Sequence, residues 1–216
     1  MPRPIEGGRL RLGTRVAAPA GAARFRALAV PLALAGGLLA GCAPTTTEDA
    51  EGPRERPPVE AVLARLPAQA AGFERGQVQD VAPNDAAAGK VVEYTTPRRV
   101  AVAFVFLYDL GRPRVTAADL PAEVERAVSE ATALPADRTG RQLSVVSRSP
   151  LPVAGGDFSC AALEGTFGRN RVERQVCVGV AGGRFMRVQV TMPSRGEPVA
   201  NAREFTAAIA GAARRG

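Results

Sequence analysis

The chain contains no histidine. That absence removes Ser-His-Asp and Cys-His nucleophile systems, nearly all zinc sites, and the side chain that most often acts as a base near neutral pH. Lysine is almost as scarce. Lys90 is the only one, so a Ser–Lys dyad would have to use it, and no motif surrounds it. Gly89-Lys90 resembles the end of a phosphate loop, but Val91 stands where Ser or Thr is needed and position 84 is Asn rather than Gly. The pair reads as a turn entering a strand. Neither Gly-x-Ser-x-Gly nor Cys-x-x-Cys occurs. Glu123, Glu125 and Glu130 could in principle supply paired carboxylates for glycoside hydrolysis. Their spacing better suits the wet face of a helix, with Arg126 and Glu130 placed for an i,i+4 ion pair. Tyr94 and Tyr108 end strand-like runs and read as aromatics at the edge of a core. No catalytic residue, no metal site and no cofactor is expected, and the chain reads as a protein that is not an enzyme.

What remains is ample for a core. The 216 residues are 46% hydrophobic, an ordinary globular composition. The formal charge of +7 suggests an acidic partner, but the excess is unevenly placed. Arg3, Arg9, Arg11, Arg15, Arg24 and Arg26 all precede Cys42, together with one acid, Glu6. The residues from Cys42 onward hold 22 basic and 20 acidic side chains, a net charge of +2. With no basic stripe and no interleaved aromatics left, nucleic acid is not an expected partner.

The arginines stop at Arg26, and Ala27 to Gly41 is uncharged. That length fits the apolar region of a signal peptide and falls short of the ~20 residues a spanning helix needs. Pro31 and Gly36-Gly37 inside the run suit a segment handed to a peptidase. It ends in Leu39-Ala40-Gly41-Cys42, which resembles the lipobox of bacterial lipoproteins. The rival reading is a short transmembrane anchor with an incidental cysteine. The resemblance implies cleavage between Gly41 and Cys42, and a diacylglycerol thioether on Cys42 with a further N-acyl chain such as palmitate. Several acyl chains anchor a protein stably where one does not. Ala43 follows, where inner-membrane-retained lipoproteins of some Gram-negative bacteria carry Asp, so the resemblance implies the outer membrane, facing the periplasm. The arginine-bearing region is long for a signal peptide, which puts the expected start of translation nearer Val16.

Residues 42–58 form the lipidated cysteine and a tether rich in Pro, Thr and charge, with no apolar periodicity to repay the entropy of ordering. Residues 59–216 read as one α+β domain. Val59 to Leu66 has helical spacing and is stopped by Pro67. Strands follow at 72–81 and 90–94, then at 100–108, where Val100 to Tyr108 is apolar on both alternating faces. That pattern describes a central strand covered above and below. Pro121 to Leu134 reads as a helix with Val124, Ala127, Val128 and Ala131 as its apolar stripe. Strands are expected at 142–149, 157–167, 171–180 and 184–192, with Gly182-Gly183 as a tight turn. Asn201 and Glu204 cap a last helix whose stripe is Phe205, Ala208, Ile209 and Ala212, with Arg214 and Arg215 complementing its dipole. The fold class is α+β: a mostly antiparallel sheet of six to seven strands with helices on both faces. The order of elements resembles the PsbP-like fold of the photosystem II extrinsic proteins and their bacterial relatives, in topology alone.

Two cysteines, Cys160 and Cys177, are left beside Cys42, and an exported chain would favour their pairing. If the turn between their strands sits at Gly168-Arg169, Phe167 faces Asn170 and Cys160 falls directly opposite Cys177. The narrow, non-hydrogen-bonded kind of pair expected there brings Cα atoms to ~4.5 Å. The same register opposes Glu164 to Glu173, a mildly unfavourable like-charge pair. The rival reading is two buried reduced thiols. Functionally, the expectation is a non-catalytic, lipid-anchored envelope protein whose domain is a binding or accessory module for an envelope protein. The alternative is a carrier or sensor of a small apolar ligand or lipid.

Overall fold

The computed structural model describes residues 56–133, 141–194 and 198–215. Gly41, Cys42, most of the tether and the expected helix stop at Pro135 lie outside the described residues. The described elements are α1 (Val59–Ala64), β1 (Gln69–Ala70), β2 (Phe73–Asp80), β3 (Lys90–Thr95), β4 (Val102–Tyr108), α2 (Leu120–Thr132), β5 (Arg141–Leu151), β6 (Phe158–Phe167), β7 (Asn170–Ala181), β8 (Arg184–Pro193) and α3 (Ala202–Arg214). The strands form one sheet in the order β1-β2-β3-β4-β8-β7-β6-β5, antiparallel at every pairing. The sheet curls into a half-barrel. Its count of eight exceeds the six to seven expected. The addition is β1, whose two residues turn back on β2 through Ala71 and Gly72, both at positive φ. Two residues are too few to show periodicity.

Strand alternation divides the core. On one face of the sheet Val92, Val105, Leu107, Val188 and Val190 pack with Val62 and Leu63 of α1 and with Phe205, Ile209 and Ala213 of α3. Phe205 is the aromatic centre of this layer, its ring 4.7 Å from Phe73 and 5.2 Å from Tyr94 between centroids. Burial of one such side chain stabilises by about 1.5–3 kcal/mol. On the other face Val124, Ala127, Val128 and Ala131 of α2 pack on Ala161, Leu163, Val176, Val178 and Phe185. The stripe of α2 is the expected one. That of α3 is rotated: Ala208 is exposed, while Thr206, Ala210 and Ala213 are buried beside Phe205, Ile209 and Ala212. Thr206 can be buried because its hydroxyl bonds to the carbonyl of Ala202 at 2.8 Å and receives the Gln175 amide at 3.0 Å.

β4 lies centrally, between β3 and β8, but the expected cover on both faces is incomplete. Ala103, Val105 and Leu107 are buried, whereas Val102, Phe104 and Phe106 are only half-buried, and α2 packs on β5, β6 and β7 instead. The Arg187 guanidinium covers part of this face, its Cζ 4.3 Å from the centroid of Phe106. A cation stacked on an aromatic face substitutes there for a helix. At the far edge, β5 is shielded from further strand pairing by a register shift between Val145 and Ser147, by Pro150 and by the charge of Arg148.

Asn201 caps α3 as expected, its side-chain oxygen accepting from the backbone N–H of Arg203 and of Glu204. The turn between β7 and β8 has Gly182 at φ +57° and Gly183 at φ +69°. That backbone favours glycine twice over, since a Cβ on Gly182 would also lie 2.8 Å from Val62 Cγ2. Among the described residues no helix is long and apolar enough to cross a membrane.

Candidate functional site

Of the residues singled out in the sequence, Cys160 and Cys177 are brought together. They are disulfide-bonded with Cα atoms 4.0 Å apart, in the register that pairs Phe167 with Asn170 and Glu164 with Glu173. Alternation points Val176 and Val178 toward α2 and leaves Cys177 in the opposite core, where it is 0% exposed and Cys160 6%. Sulfurs packed this way are shielded from an attacking thiolate, which suits a staple better than an exchange centre.

The most unusual polar cluster joins β4 to α2. Glu123 is 3% exposed, not on the wet face of its helix as its spacing suggested. Its carboxylate accepts from the Tyr108 hydroxyl, and Arg126 closes on it with Nε at 2.8 Å and Nη2 at 2.5 Å. Arg126 also pairs with Glu130, the i,i+4 contact expected, and Glu130 receives Arg187 Nη1 at 2.6 Å. Tyr108 is buried too, with Arg126 Cζ 5.7 Å and Arg187 Cζ 5.8 Å from its ring centroid. Burial, reinforced by the hydrogen bond to Glu123, holds the Tyr108 hydroxyl far above the ordinary tyrosine range. The Glu123 bond, outweighing burial, raises the Arg126 guanidinium above its ordinary value. A buried carboxylate filled by two donors has no open side for a substrate; the cluster is built to join helix to sheet.

Tyr94 plays a similar part in the other core. It is 0% exposed and its hydroxyl donates to the carbonyl of Pro67 at 2.8 Å, tying β3 to the turn after α1. Burial pushes its hydroxyl up to about 12. Both tyrosines therefore lie within the core, further in than the core-edge placement expected of strand ends.

A third polar site holds the segment leading into α1. Arg184 Nη1 donates to the carbonyl of Pro57 at 2.6 Å, and Arg56 Nη1 meets Asp109 Oδ2 at 2.9 Å and the carbonyl of Arg112 at 3.0 Å. The side chain of Arg184 is 9% exposed and sits 4.0 Å from the same Asp109 oxygen. Burial, with the neighbouring Arg56 charge, lowers its pKa. Sequence reasoning assigned Arg56 to the tether; only the turn at Gly182-Gly183, which lets the two segments approach, gave any signal of this contact.

Two surface clefts lie beside these clusters. One of about 650 Å³ lies between the start of α2 and strands β5 and β6, bordered by Leu120, Pro121, Val124 and Pro150, with Arg148 and Glu125 at its rim. Those two side chains pair at 3.0 Å, spanning helix and strand. Another, of about 500 Å³, adjoins the β7–β8 turn. Among the described residues no group of three or more His, Cys, Asp and Glu side chains is placed to hold a metal ion.

No family model matches the chain, and no curated protein does. Among solved structures it is similar to the solution structure of cyanobacterial PsbP (CyanoP) from Synechocystis sp. PCC 6803, at 12% identity, covering 58% of this chain and 83% of that one with a TM-score of 0.34. The likeness is a weak PsbP-like resemblance in fold and carries nothing about activity.

Proposed function

We propose that the protein is a lipoprotein anchored through lipid on Cys42 to the outer membrane, facing the periplasm. Its domain serves there as a non-catalytic binding or accessory module for a protein of the cell envelope. The observation that carries this reading is Leu39-Ala40-Gly41-Cys42 at the end of the uncharged run from Ala27. The buried Cys160–Cys177 bond supports it, because structural disulfides belong to oxidising compartments such as the periplasm. The commitment of Glu123, Arg126, Tyr108 and Tyr94 to internal bonds supports the non-catalytic part.

The anchor is tested by Cys42→Ser. The variant should accumulate as unprocessed precursor and incorporate no labelled palmitate; a variant that still labels and matures places the lipid elsewhere. The accessory role is tested by crosslinking in native membranes and by native mass spectrometry of the same preparation. A reproducible crosslinked envelope protein supports it. A retained lipid mass with no such partner overturns it in favour of a carrier.

A further inference from the structure

Among the described clefts, the one beside the β7–β8 turn is lined by charges of one sign. Four arginines border its 500 Å³ space, Arg56, Arg65, Arg114 and Arg214, and none of the described residues around it is a carboxylate. The bonds that hold Arg214 and Arg65 fix their guanidinium groups without neutralising them. Arg214 donates through Nε to the carbonyl of Val180 at 2.9 Å, and through Nη1 to Ala154 at 2.9 Å and Gly156 at 2.5 Å, with its Cζ 5.0 Å from the Phe158 ring centroid. Arg65 Nη1 reaches the carbonyl of Ala213 at 3.5 Å. Carbonyl oxygens supply partial charge only. Arg56 has a carboxylate at bonding distance in Asp109, and Asp157 acts on Arg214 from further away. The C-terminal end of α3 contributes about half a negative charge at most, so the charges of Arg65 and Arg214 face the space with no described carboxylate at bonding distance.

The imbalance is local. A neighbouring cavity of about 400 Å³, on the Asp109 side of Arg56, mixes Arg56, Lys90 and Arg184 with Glu60, Asp80, Asp85 and Asp109. Lys90 is 2.7 Å from Asp80 there, and the charges answer one another. Burial lowers the pKa of Arg214, as it does for Arg184 next to the cleft. Arginine side chains gathered around one space, with planar guanidinium forks as donors, match the several oxygens and the charge of a phosphate better than any single-charged anion.

We propose that this arginine cleft is a binding site for a phosphate group. Two sources share that chemistry. A soluble phosphate-bearing molecule needs nothing more. An anionic lipid headgroup rests on the anchor proposed above: Arg56 follows Cys42 by fourteen residues, a span of at most about 50 Å when fully extended, which keeps the cleft within reach of the bilayer surface.

The test uses the full chain in neutral detergent micelles, titrated calorimetrically with inorganic phosphate and, separately, with micelles doped with phosphatidylglycerol. Arg65→Gln/Arg114→Gln removes two cleft charges; Arg169→Gln/Arg171→Gln removes two at the distant β6–β7 hairpin. Binding should weaken by at least about tenfold in the cleft variant, since each charge-assisted bond lost is worth that much, and stay unchanged in the hairpin variant. Inorganic phosphate binding that obeys this pattern assigns a soluble source; binding to the doped micelles alone assigns a headgroup. No binding of either probe, or equal weakening in both variants, overturns the proposal. If the double variant does not fold, Arg114→Glu should produce the same loss. Failure of palmitate labelling at Cys42 leaves the inorganic phosphate arm intact, and failure of phosphate binding leaves the anchor intact.

Discussion

The Tyr108 hydroxyl donates to the buried carboxylate of Glu123, fifteen residues further along the chain, and this bond joins the centre of the sheet to the helix lying over β5, β6 and β7. Removing either partner leaves the other in a different predicament. Tyr108→Phe deletes a donor, while Glu123 keeps both contacts to Arg126. Glu123→Ala strands a buried hydroxyl, takes a carboxylate from Arg126 and opens a void. Tyr108→Phe should therefore cost about 1–2 kcal/mol and Glu123→Ala about 2–4 kcal/mol. Urea unfolding monitored by circular dichroism measures both. Equal or reversed losses would show that the bond is not the joint described.

The two tyrosines also make the fold sensitive to alkali. Tyr94 and Tyr108 are the only tyrosines, and the chain has no tryptophan, so tyrosinate absorbance near 295 nm reports on them alone. Both hydroxyls are raised in the folded state, Tyr94 to about 12 and Tyr108 further, mainly by burial. A folded pKa above the unfolded value near ~10 favours the native state fully below that value. The stabilisation is lost as pH rises from 10 through the folded value. A native sample should show almost no tyrosinate at pH 10.5, while a sample in concentrated urea shows both ionising. Half-ionisation in the native sample at that pH would contradict the burial of the two rings.

These two clusters mark where the sequence was legible and where it was not. Cys160 and Cys177 could be paired from numbers alone, because a two-residue turn fixes every opposed pair along a hairpin. The stripe of α2 followed from helical spacing. Glu123 did not, since it borders Val124 at the edge of that stripe and carboxylates belong by default to the wet side. Its burial depends on a tyrosine hydroxyl from β4 that only the folded chain delivers. Phe104 and Phe106 predicted a covering layer above them for a related reason: apolarity on both faces demands cover, but does not say that the long arm of Arg187 provides part of it. The arginine cleft was illegible because its members come from positions 56, 65, 114 and 214, scattered along the chain.

Glycine at the β7–β8 turn offers a test that separates backbone strain from crowding. Gly111 and Gly182 both have positive φ, +75° and +57°. A Cβ at Gly111 would meet nothing within 4 Å, whereas one at Gly182 would lie 2.8 Å from Val62 Cγ2 and 3.3 Å from Pro57 Cγ. Gly111→Ala should cost about 1 kcal/mol for the left-handed backbone alone. Gly182→Ala carries that cost and must also displace α1, for a total of about 2–4 kcal/mol. Thermal denaturation of the two variants should rank them in that order, and amides near Val59 to Leu63 should exchange faster only in the second.

The disulfide stabilises through the chain it closes. Cys160 and Cys177 are seventeen positions apart, and a loop of that size contributes about 3 kcal/mol in the chain-entropy model. Replacing both by Ala should lower the melting temperature by roughly 6–12 °C in a domain of this size. The bond's burial adds a kinetic expectation. With Cys177 wholly covered and Cys160 nearly so, dithiothreitol must wait for the hairpin to open, because exchange needs an in-line approach to a sulfur. In Cys42→Ser protein, thiol titration in denaturant without reductant should find no free cysteine. After brief exposure to dithiothreitol under native conditions the thiol count should remain near zero, and in urea it should reach two. A pair that reduces as fast natively as when unfolded would mean that the β6–β7 hairpin opens readily, and the cysteines would then be available for exchange rather than serving as a staple.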